Sequence, residues 1–134
     1  MFHSKINKEW ELFADWVNNN SCKIILIEGN HDIIAKQHYD ELDIDVFPKL
    51  IIDEFLLTHH PTETHQVFNF CGHIHPGIKL KDLGRQSMKL GCFFRKENQM
   101  ILPAFGEFTG KYFIKPGEND IVYAIAKDEL IRVV

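Results

Sequence analysis

Histidine, asparagine and aspartate side chains are concentrated in three short segments of the 134-residue sequence. The segments are Gly29–Asp32, Thr58–Pro61 and Cys71–Pro76, and each follows an apolar run typical of a β-strand. Imidazole nitrogen and amide or carboxylate oxygen are suitable ligands for Mn, Fe, Zn or Ni. Two such ions held about 3.5 to 4 Å apart polarise a phosphoryl group and supply hydroxide at neutral pH, as hydrolysis of a phosphate ester requires. The sequence therefore predicts a shared metal site for phosphate ester cleavage.

Each segment taken alone has a simpler interpretation. A single histidine is usually an ordinary surface or core residue, which is how we interpret His38 and His65. Asn30–Asp32 after a strand is also typical of a helix cap, because Asn and Asp favour that position. His60 is either a pocket residue beside His59 or an exposed turn residue. The order of the three segments, each after a strand, favours the metal site.

The spacing within the third segment indicates how its histidines would point. His73 and His75 would project to the same side of an extended segment, and Gly72 would let the backbone turn tightly out of the strand. Side chains at the carboxyl ends of parallel strands meet at one rim of a sheet, where open α/β sheets bind ligands. We therefore expect the segments to converge on one edge.

The apolar pattern predicts the elements that would hold these segments. Ser4 would cap a helix that runs to about Asn18, and Lys23–Ile27 is typical of a strand covered on both faces. A second helix is predicted from Ile33 to about Leu42. The apolar stripe of the first helix would consist of Trp10, Phe13, Trp16 and Val17. Further strands are predicted at 46–52, 54–58, 67–71, 78–80, 87–90, 92–94, 100–102, 121–125 and 130–134.

Turn-forming residues separate the later strands, which predicts a largely antiparallel second half. The turns would lie at Gly84, Glu97–Asn98, Pro116–Gly117 and Lys127–Glu129. Since no repeat or linker is visible, we expect one domain spanning residues 1–134.

Charge, cysteine content and hydropathy narrow the class of protein. The net charge is −4, and no block of like charge gives the sequence a nucleic-acid footprint. The three cysteines form no C-x-x-C pair, which argues against a disulfide framework or a zinc knuckle and fits a reducing cytoplasm. No signal peptide or membrane-spanning run is present in the sequence, so we expect a cytoplasmic protein.

In their order, the three segments resemble the third, fourth and fifth signature blocks of the calcineurin-like metallophosphoesterases. The flanking residues resemble a bacterial branch, the DNA ligase-associated metallophosphoesterases, at Leu57–Pro61, Phe70–Gly77 and Gly91–Phe93. The resemblance implies an α/β fold, a two-sheet β-sandwich flanked by helices. It also implies a manganese-dependent phosphodiesterase or nuclease, with DNA as substrate and a functional link in DNA repair to a ligase and a helicase.

The same resemblance implies roles for particular residues. One ion would be bound by Asn30, His59 and His73, and the other by His75. His31 would be the catalytic histidine that protonates the leaving oxygen, and Asp32 would hold its imidazole in the productive orientation.

Two blocks of the family, an Asp-x-His and a Gly-Asp, do not occur in the sequence, and Met1–Ser4 resembles the residues directly after that Gly-Asp in the ligase-associated branch. We therefore expect the family's N-terminal strand–helix–strand unit to be missing, either because the start was assigned late or because the protein is truly shortened. The remaining ligands are neutral and would hold metal weakly. The strand within Lys23–Ile27 would keep an unpaired edge, which predicts a homo-oligomer. The alternative function is a non-catalytic, protein-binding scaffold, which the retained His31 and Asp32 disfavour.

Overall fold

The fold is α/β, with mixed sheets and two helices in the residues that the computed structural model describes, 6–81, 87–106 and 109–134. The predicted cap at Ser4, the predicted turn at Gly84 and the Met1–Ser4 resemblance lie outside these residues. The chain forms two compact units, Met1–Leu50 and Ile51–Val134. The single-domain interpretation stays a prediction.

The first helix, α1 (Lys8–Asn18), is capped by Asn7, whose side-chain oxygen accepts a hydrogen bond from the Trp10 backbone N–H at 3.1 Å. The predicted end at Asn18 is confirmed. Trp10 and Val17, seven residues apart, are buried, but Trp16 is 55% exposed. The prediction for Trp16 was wrong because a six-residue step places it on a different side of the helix from Trp10.

Three further elements complete the N-terminal unit: β1 (Ile25–Ile27), α2 (Lys36–Glu41) and β2 (Asp45–Phe47). Strand β1 pairs in parallel with β2, and Ile25 is 42% exposed. The prediction that this strand is covered on both faces was therefore wrong, since a two-stranded sheet offers few neighbours. Self-association through this strand stays a prediction.

Aromatic rings dominate the core of the N-terminal unit. Trp10 packs edge-on against Tyr39, with ring centroids 5.3 Å apart, and against His38 at 6.2 Å. The buried residues of this core are Trp10, Val17, Ile34, Tyr39 and Ile44. Among the described residues, no helix has the length and apolar character needed to cross a membrane.

Most of the remaining chain is β-structure. The strands are β3 (Lys49–Ile52), β4 (Phe55–Thr58), β5 (Phe68–Cys71), β6 (Pro76–Lys81), β7 (Ser87–Lys96), β8 (Gln99–Ile101), β9 (Tyr112–Phe113), β10 (Ile121–Ala126) and β11 (Glu129–Arg132). Their order is β11-β10-β7-β8-β5-β4-β3, and β6 lies between β7 and β9. The β4–β5, β5–β8 and β6–β9 pairs are parallel, whereas β7 is antiparallel to β6, β8 and β10.

Strand β7 is one continuous strand where the pattern predicted two. Its first half, Ser87–Gly91, pairs with β6, and its second half pairs with β10 and β8. Gly91 does not interrupt it, because Gly91 lies directly opposite Gly77 within the ladder. The C-terminal core is built on the second half, and its buried residues are Cys71, Ile78, Cys92, Phe94, Ile101, Ile114, Val122 and Ala124.

Two cysteines of this core should be chemically inert in the folded protein. Burial raises the pKa of the Cys71 and Cys92 thiols to about 11, whereas Cys22 is exposed. Because the thiolate is the reactive form and both buried thiols stay protonated near neutral pH, we expect a maleimide to modify Cys22 alone. Mass spectrometry of labelled native protein measures this, with labelling in urea as the control. Native labelling of Cys71 or Cys92 would contradict it.

Candidate metal centre

Three imidazoles meet where strands β4 and β5 end. His59 and His60 follow β4, and His73 follows β5 after Gly72. The two strands are parallel neighbours, so their carboxyl ends lie on the same edge of the sheet. One ring nitrogen from each histidine lies within 4.8 Å of the other two. We call this group the imidazole cluster.

The distances within the imidazole cluster fit a divalent ion. His73 Nδ1 lies 3.1 Å from His59 Nε2, and the rings of His60 and His73 have centroids 4.1 Å apart. Two nitrogens bound at about 2.0 to 2.1 Å to a tetrahedral ion would be about 3.4 Å apart. The same nitrogens can share a proton, with the donor set by the tautomer. His59 is half-buried, and the other two are exposed.

The backbone at His73 has an unusual conformation. The Ile74 N–H donates to the Gly72 carbonyl at 2.7 Å, and φ of His73 is 64°. An i to i+2 hydrogen bond around a positive φ is the pattern of the γ-turn that is rare and strained. His75 also has a positive φ, 54°. The backbone therefore stores strain at two predicted metal ligands.

Two expectations about this segment were wrong. The segment is not extended, because a positive φ at His73 and at His75 is incompatible with a strand. Gly72 does not supply the left-handed turn either, since no described glycine has a positive φ and a Cβ at Gly72 would meet nothing within 4 Å. The turn lies on the histidines themselves.

Hydrogen bonds fix the loop that carries His59 and His60. The His59 carbonyl accepts from the Gly72 N–H at 3.1 Å, which joins the two histidine segments. The His60 carbonyl accepts from the hydroxyls of Thr58 at 2.6 Å and Thr62 at 3.1 Å. The backbone of the loop is therefore held from both sides, which limits the backbone freedom that the loop loses on binding an ion.

Beneath the loop lies Asn69, a fully buried polar residue on β5. Its amide nitrogen donates to the Leu56 carbonyl at 3.0 Å and to the Thr58 hydroxyl at 2.9 Å. Its oxygen accepts from the Thr62 N–H at 3.0 Å and from Gln99 Nε2 at 2.9 Å. Asn69 thus ties the end of β4, the histidine loop and β8 together. No prediction from the sequence included it.

A further predicted ligand, His75, is not one of the three histidines of the imidazole cluster. His75 is half-buried, and its carbonyl accepts from the Tyr112 N–H at 3.0 Å. Asn30, His31 and Asp32 lie in the N-terminal unit, in the turn after β1. Their convergence with His59 and His73 stays a prediction.

Asp32 closes its own turn. Its Oδ2 accepts from the Gly29 N–H at 2.8 Å, and its N–H donates to the Gly29 carbonyl at 3.2 Å. Among the described residues, no hydrogen bond joins Asp32 to His31, which is exposed. Orientation of His31 by Asp32 stays a prediction.

The fold is α/β, and the imidazole cluster supplies nitrogen donors suited to a divalent ion. The structure is similar to the crystal structure of Pseudomonas putida nuclease MPE, with 35% sequence identity and a TM-score of 0.71. The match covers 87% of this chain and 58% of that nuclease, so the chain spans little more than half of its length. No family model and no curated protein matches the sequence.

Proposed function

We propose that this chain is a metal-dependent phosphodiesterase that cleaves nucleic acid. The observation that carries the proposal is the imidazole cluster at the carboxyl ends of two parallel strands. The 35% identity to a nuclease supports the substrate class. The order of the three histidine segments supports a calcineurin-like metallophosphoesterase, and in this proposal the mixed sheets belong to its two-sheet sandwich.

His59 and His73 would hold a divalent ion, with His60 as the third donor. Asn30 would add an amide oxygen, and His75 would serve a second ion. A bound ion of this kind polarises the phosphoryl group and supplies the hydrolytic water as hydroxide. We propose Mn²⁺, with Fe, Zn or Ni as alternatives that the donor set also suits. Because these donors are neutral, the ion would keep its positive charge and attract an anionic phosphodiester.

The remaining chemistry belongs to the turn after β1. His31 is exposed and would donate a proton to the leaving oxygen of the ester. Asp32 holds the backbone of that turn through its bond to the Gly29 N–H. In this proposal the same carboxylate holds the His31 imidazole in its productive orientation. Neither residue needs to bind the metal for this role.

Metal content and hydrolysis measured together test the proposal. The dialysed protein is analysed for bound elements, then assayed on bis(p-nitrophenyl) phosphate and on a labelled oligonucleotide with added Mn²⁺. We expect bound metal and hydrolysis of both substrates, with hydrolysis abolished by a chelator and restored by Mn²⁺. Bound metal without hydrolysis would favour the scaffold, and hydrolysis that resists the chelator would contradict a metal-dependent reaction.

A further inference from the structure

One face of the sheet formed by β6, β7 and β9 is rich in lysine. Lys79 on β6 lies directly opposite Lys89 on β7, and Lys81 lies opposite Ser87. Phe113 on β9 is level with Gly77 and therefore points to the same side as Lys79. Together with Lys111, two residues before Phe113, these side chains form what we call the lysine face: Lys79, Lys81, Lys89, Lys111 and Phe113.

The lysine face points away from the core. The alternate residues Ile78, Leu80 and Leu90 belong to the C-terminal core or pack against it. All four lysines are exposed. The chain carries 15 Lys and Arg against 19 Asp and Glu, so four lysines on one small sheet run counter to the overall charge.

Phe113 holds two of the ammonium groups together. Lys79 Nζ lies 4.5 Å from the centre of the Phe113 ring, and Lys89 Nζ lies 5.9 Å from it. Like charges directly opposite each other destabilise a sheet, and attraction to the ring offsets part of that cost. Among the described residues, none of the four lysines forms an ion pair with a carboxylate. Their charge is therefore left for an external anion.

Lys111 extends the lysine face towards His75. Its side chain crosses the paired glycines of β6 and β7, where a Cβ at Gly77 would lie 3.0 Å from the Lys111 Cβ. The glycine pair leaves room for the aliphatic stem to lie flat. The next residue, Tyr112, donates its N–H to the His75 carbonyl at 3.0 Å. Lys111 is thus linked to His75 through its neighbour Tyr112.

We propose that the lysine face binds the phosphodiester backbone of a polynucleotide whose chain continues into the imidazole cluster. The inference rests on the proposed function and adds to it a binding surface. Two residues along a strand advance about 7 Å, so Lys79 and Lys81 place positive charge in a row. A row of ammonium groups fits a linear polyanion better than it fits a compact phosphate. Binding through the backbone is independent of base sequence.

The salt dependence of binding tests the lysine face. A fluorescent single-stranded oligonucleotide is titrated with the unmodified chain and with Lys79→Ala/Lys89→Ala, at several salt concentrations, and anisotropy is recorded. Removing one phosphate contact lowers the slope of log affinity against log salt by about 0.7 for single strands, so we expect the double substitution to lower it by about 1.4. The decrease should be equal for poly-dT and poly-dA.

Two matched variants control for folding and for total charge. Lys79→Arg/Lys89→Arg keeps both charges and should keep the slope. Lys49→Ala/Lys127→Ala removes two exposed charges outside the lysine face and should leave the slope unchanged. An unchanged slope in Lys79→Ala/Lys89→Ala would overturn the proposal. The proposal would also be overturned if this variant lost binding to anionic vesicles but still bound the oligonucleotide as the unmodified chain does.

Hydrolysis of bis(p-nitrophenyl) phosphate separates this inference from the proposed function. That diester has a single phosphate and in this proposal needs only the imidazole cluster, so Lys79→Ala/Lys89→Ala should hydrolyse it at the rate of the unmodified chain. A chain that binds the oligonucleotide through these lysines but hydrolyses neither substrate would contradict the proposed function alone. If the unmodified chain hydrolyses both substrates and Lys79→Ala/Lys89→Ala binds the oligonucleotide equally well, the lysine face alone would be contradicted.

Discussion

Replacing His59 with alanine is expected to remove the bound metal and, with it, hydrolysis of phosphodiesters. His59 is the most buried member of the imidazole cluster, and its Nε2 lies 3.1 Å from His73 Nδ1. Loss of a residue that hydrogen-bonds to a metal ligand already lowers metal affinity by about 10- to 100-fold. Loss of a ligand itself should therefore lower it by more than about 100-fold. Elemental analysis after dialysis and kcat/KM on bis(p-nitrophenyl) phosphate measure the two losses.

His59 is a cleaner test than His73, because His73 has a φ of 64° and a substitution there tests the turn of the backbone as well as the imidazole. The matched control is His65→Ala, which removes an exposed histidine outside the imidazole cluster. Its metal content and kcat/KM should equal those of the unmodified chain. Equal metal content in His59→Ala and His65→Ala would argue against the metal centre.

Replacing Asn69 with leucine is expected to destabilise the protein by about 3 to 5 kcal/mol. Leucine is close to asparagine in shape but satisfies none of its hydrogen bonds, and a buried polar group left unsatisfied costs about 1 to 3 kcal/mol. The groups that would lose this partner are the Leu56 carbonyl, the Thr62 N–H, the Thr58 hydroxyl and the Gln99 amide. Urea denaturation measures the change in the free energy of unfolding.

The control for this change is Asn119→Ala, an exposed asparagine in the turn before β10, which should shift stability by less than about 0.5 kcal/mol. Where Asn69→Leu remains folded, it should also bind less metal, because Asn69 holds Thr58 and Thr62 on either side of His59 and His60. If Asn69→Leu changed the free energy of unfolding as little as Asn119→Ala does, the hydrogen bonds of Asn69 would contribute little to stability.

Local pattern was sufficient to predict the elements that position His59 and His73. Strands β4 and β5 are short apolar runs followed by polar residues, and their predicted ranges contain the observed ones. Because the strands are parallel neighbours, the histidines after them meet at one edge and form the imidazole cluster. Metal binding there stays a prediction. His60 also lies in the imidazole cluster, although residue type and spacing alone could not distinguish it from the adjacent His59.

Features that depend on long-range pairing could not be predicted. Lys79, Lys89 and Lys111 are far apart in the sequence, and only the register of β6, β7 and β9 brings them onto one face. The sequence therefore contains no block of like charge that would indicate this nucleic-acid binding surface. Strand β9 has two residues, too few for a recognisable apolar run.

Asn69 and His73 illustrate two further limits. Asn69 alternates with Phe68 and Phe70, as an exposed position in a strand would, yet it is fully buried, and its side chain is bonded to Thr58, Thr62 and Gln99. The positive φ of His73 accompanies the hydrogen bond from the Ile74 N–H to the Gly72 carbonyl, and residue type alone does not specify which residue of the turn adopts it.

The two halves of β7 differ in how many neighbours hold them. Cys92–Arg95 lies beside β10, and Phe94–Lys96 also pairs with β8, whereas Ser87–Gly91 is paired with β6 alone among the described strands. The lysine face therefore lies on the half of β7 that depends on a single neighbouring strand for its described pairing. A polyanion that bridges Lys79 and Lys89 would link β6 to β7, so occupancy of the lysine face and the stability of this strand pair would be thermodynamically coupled.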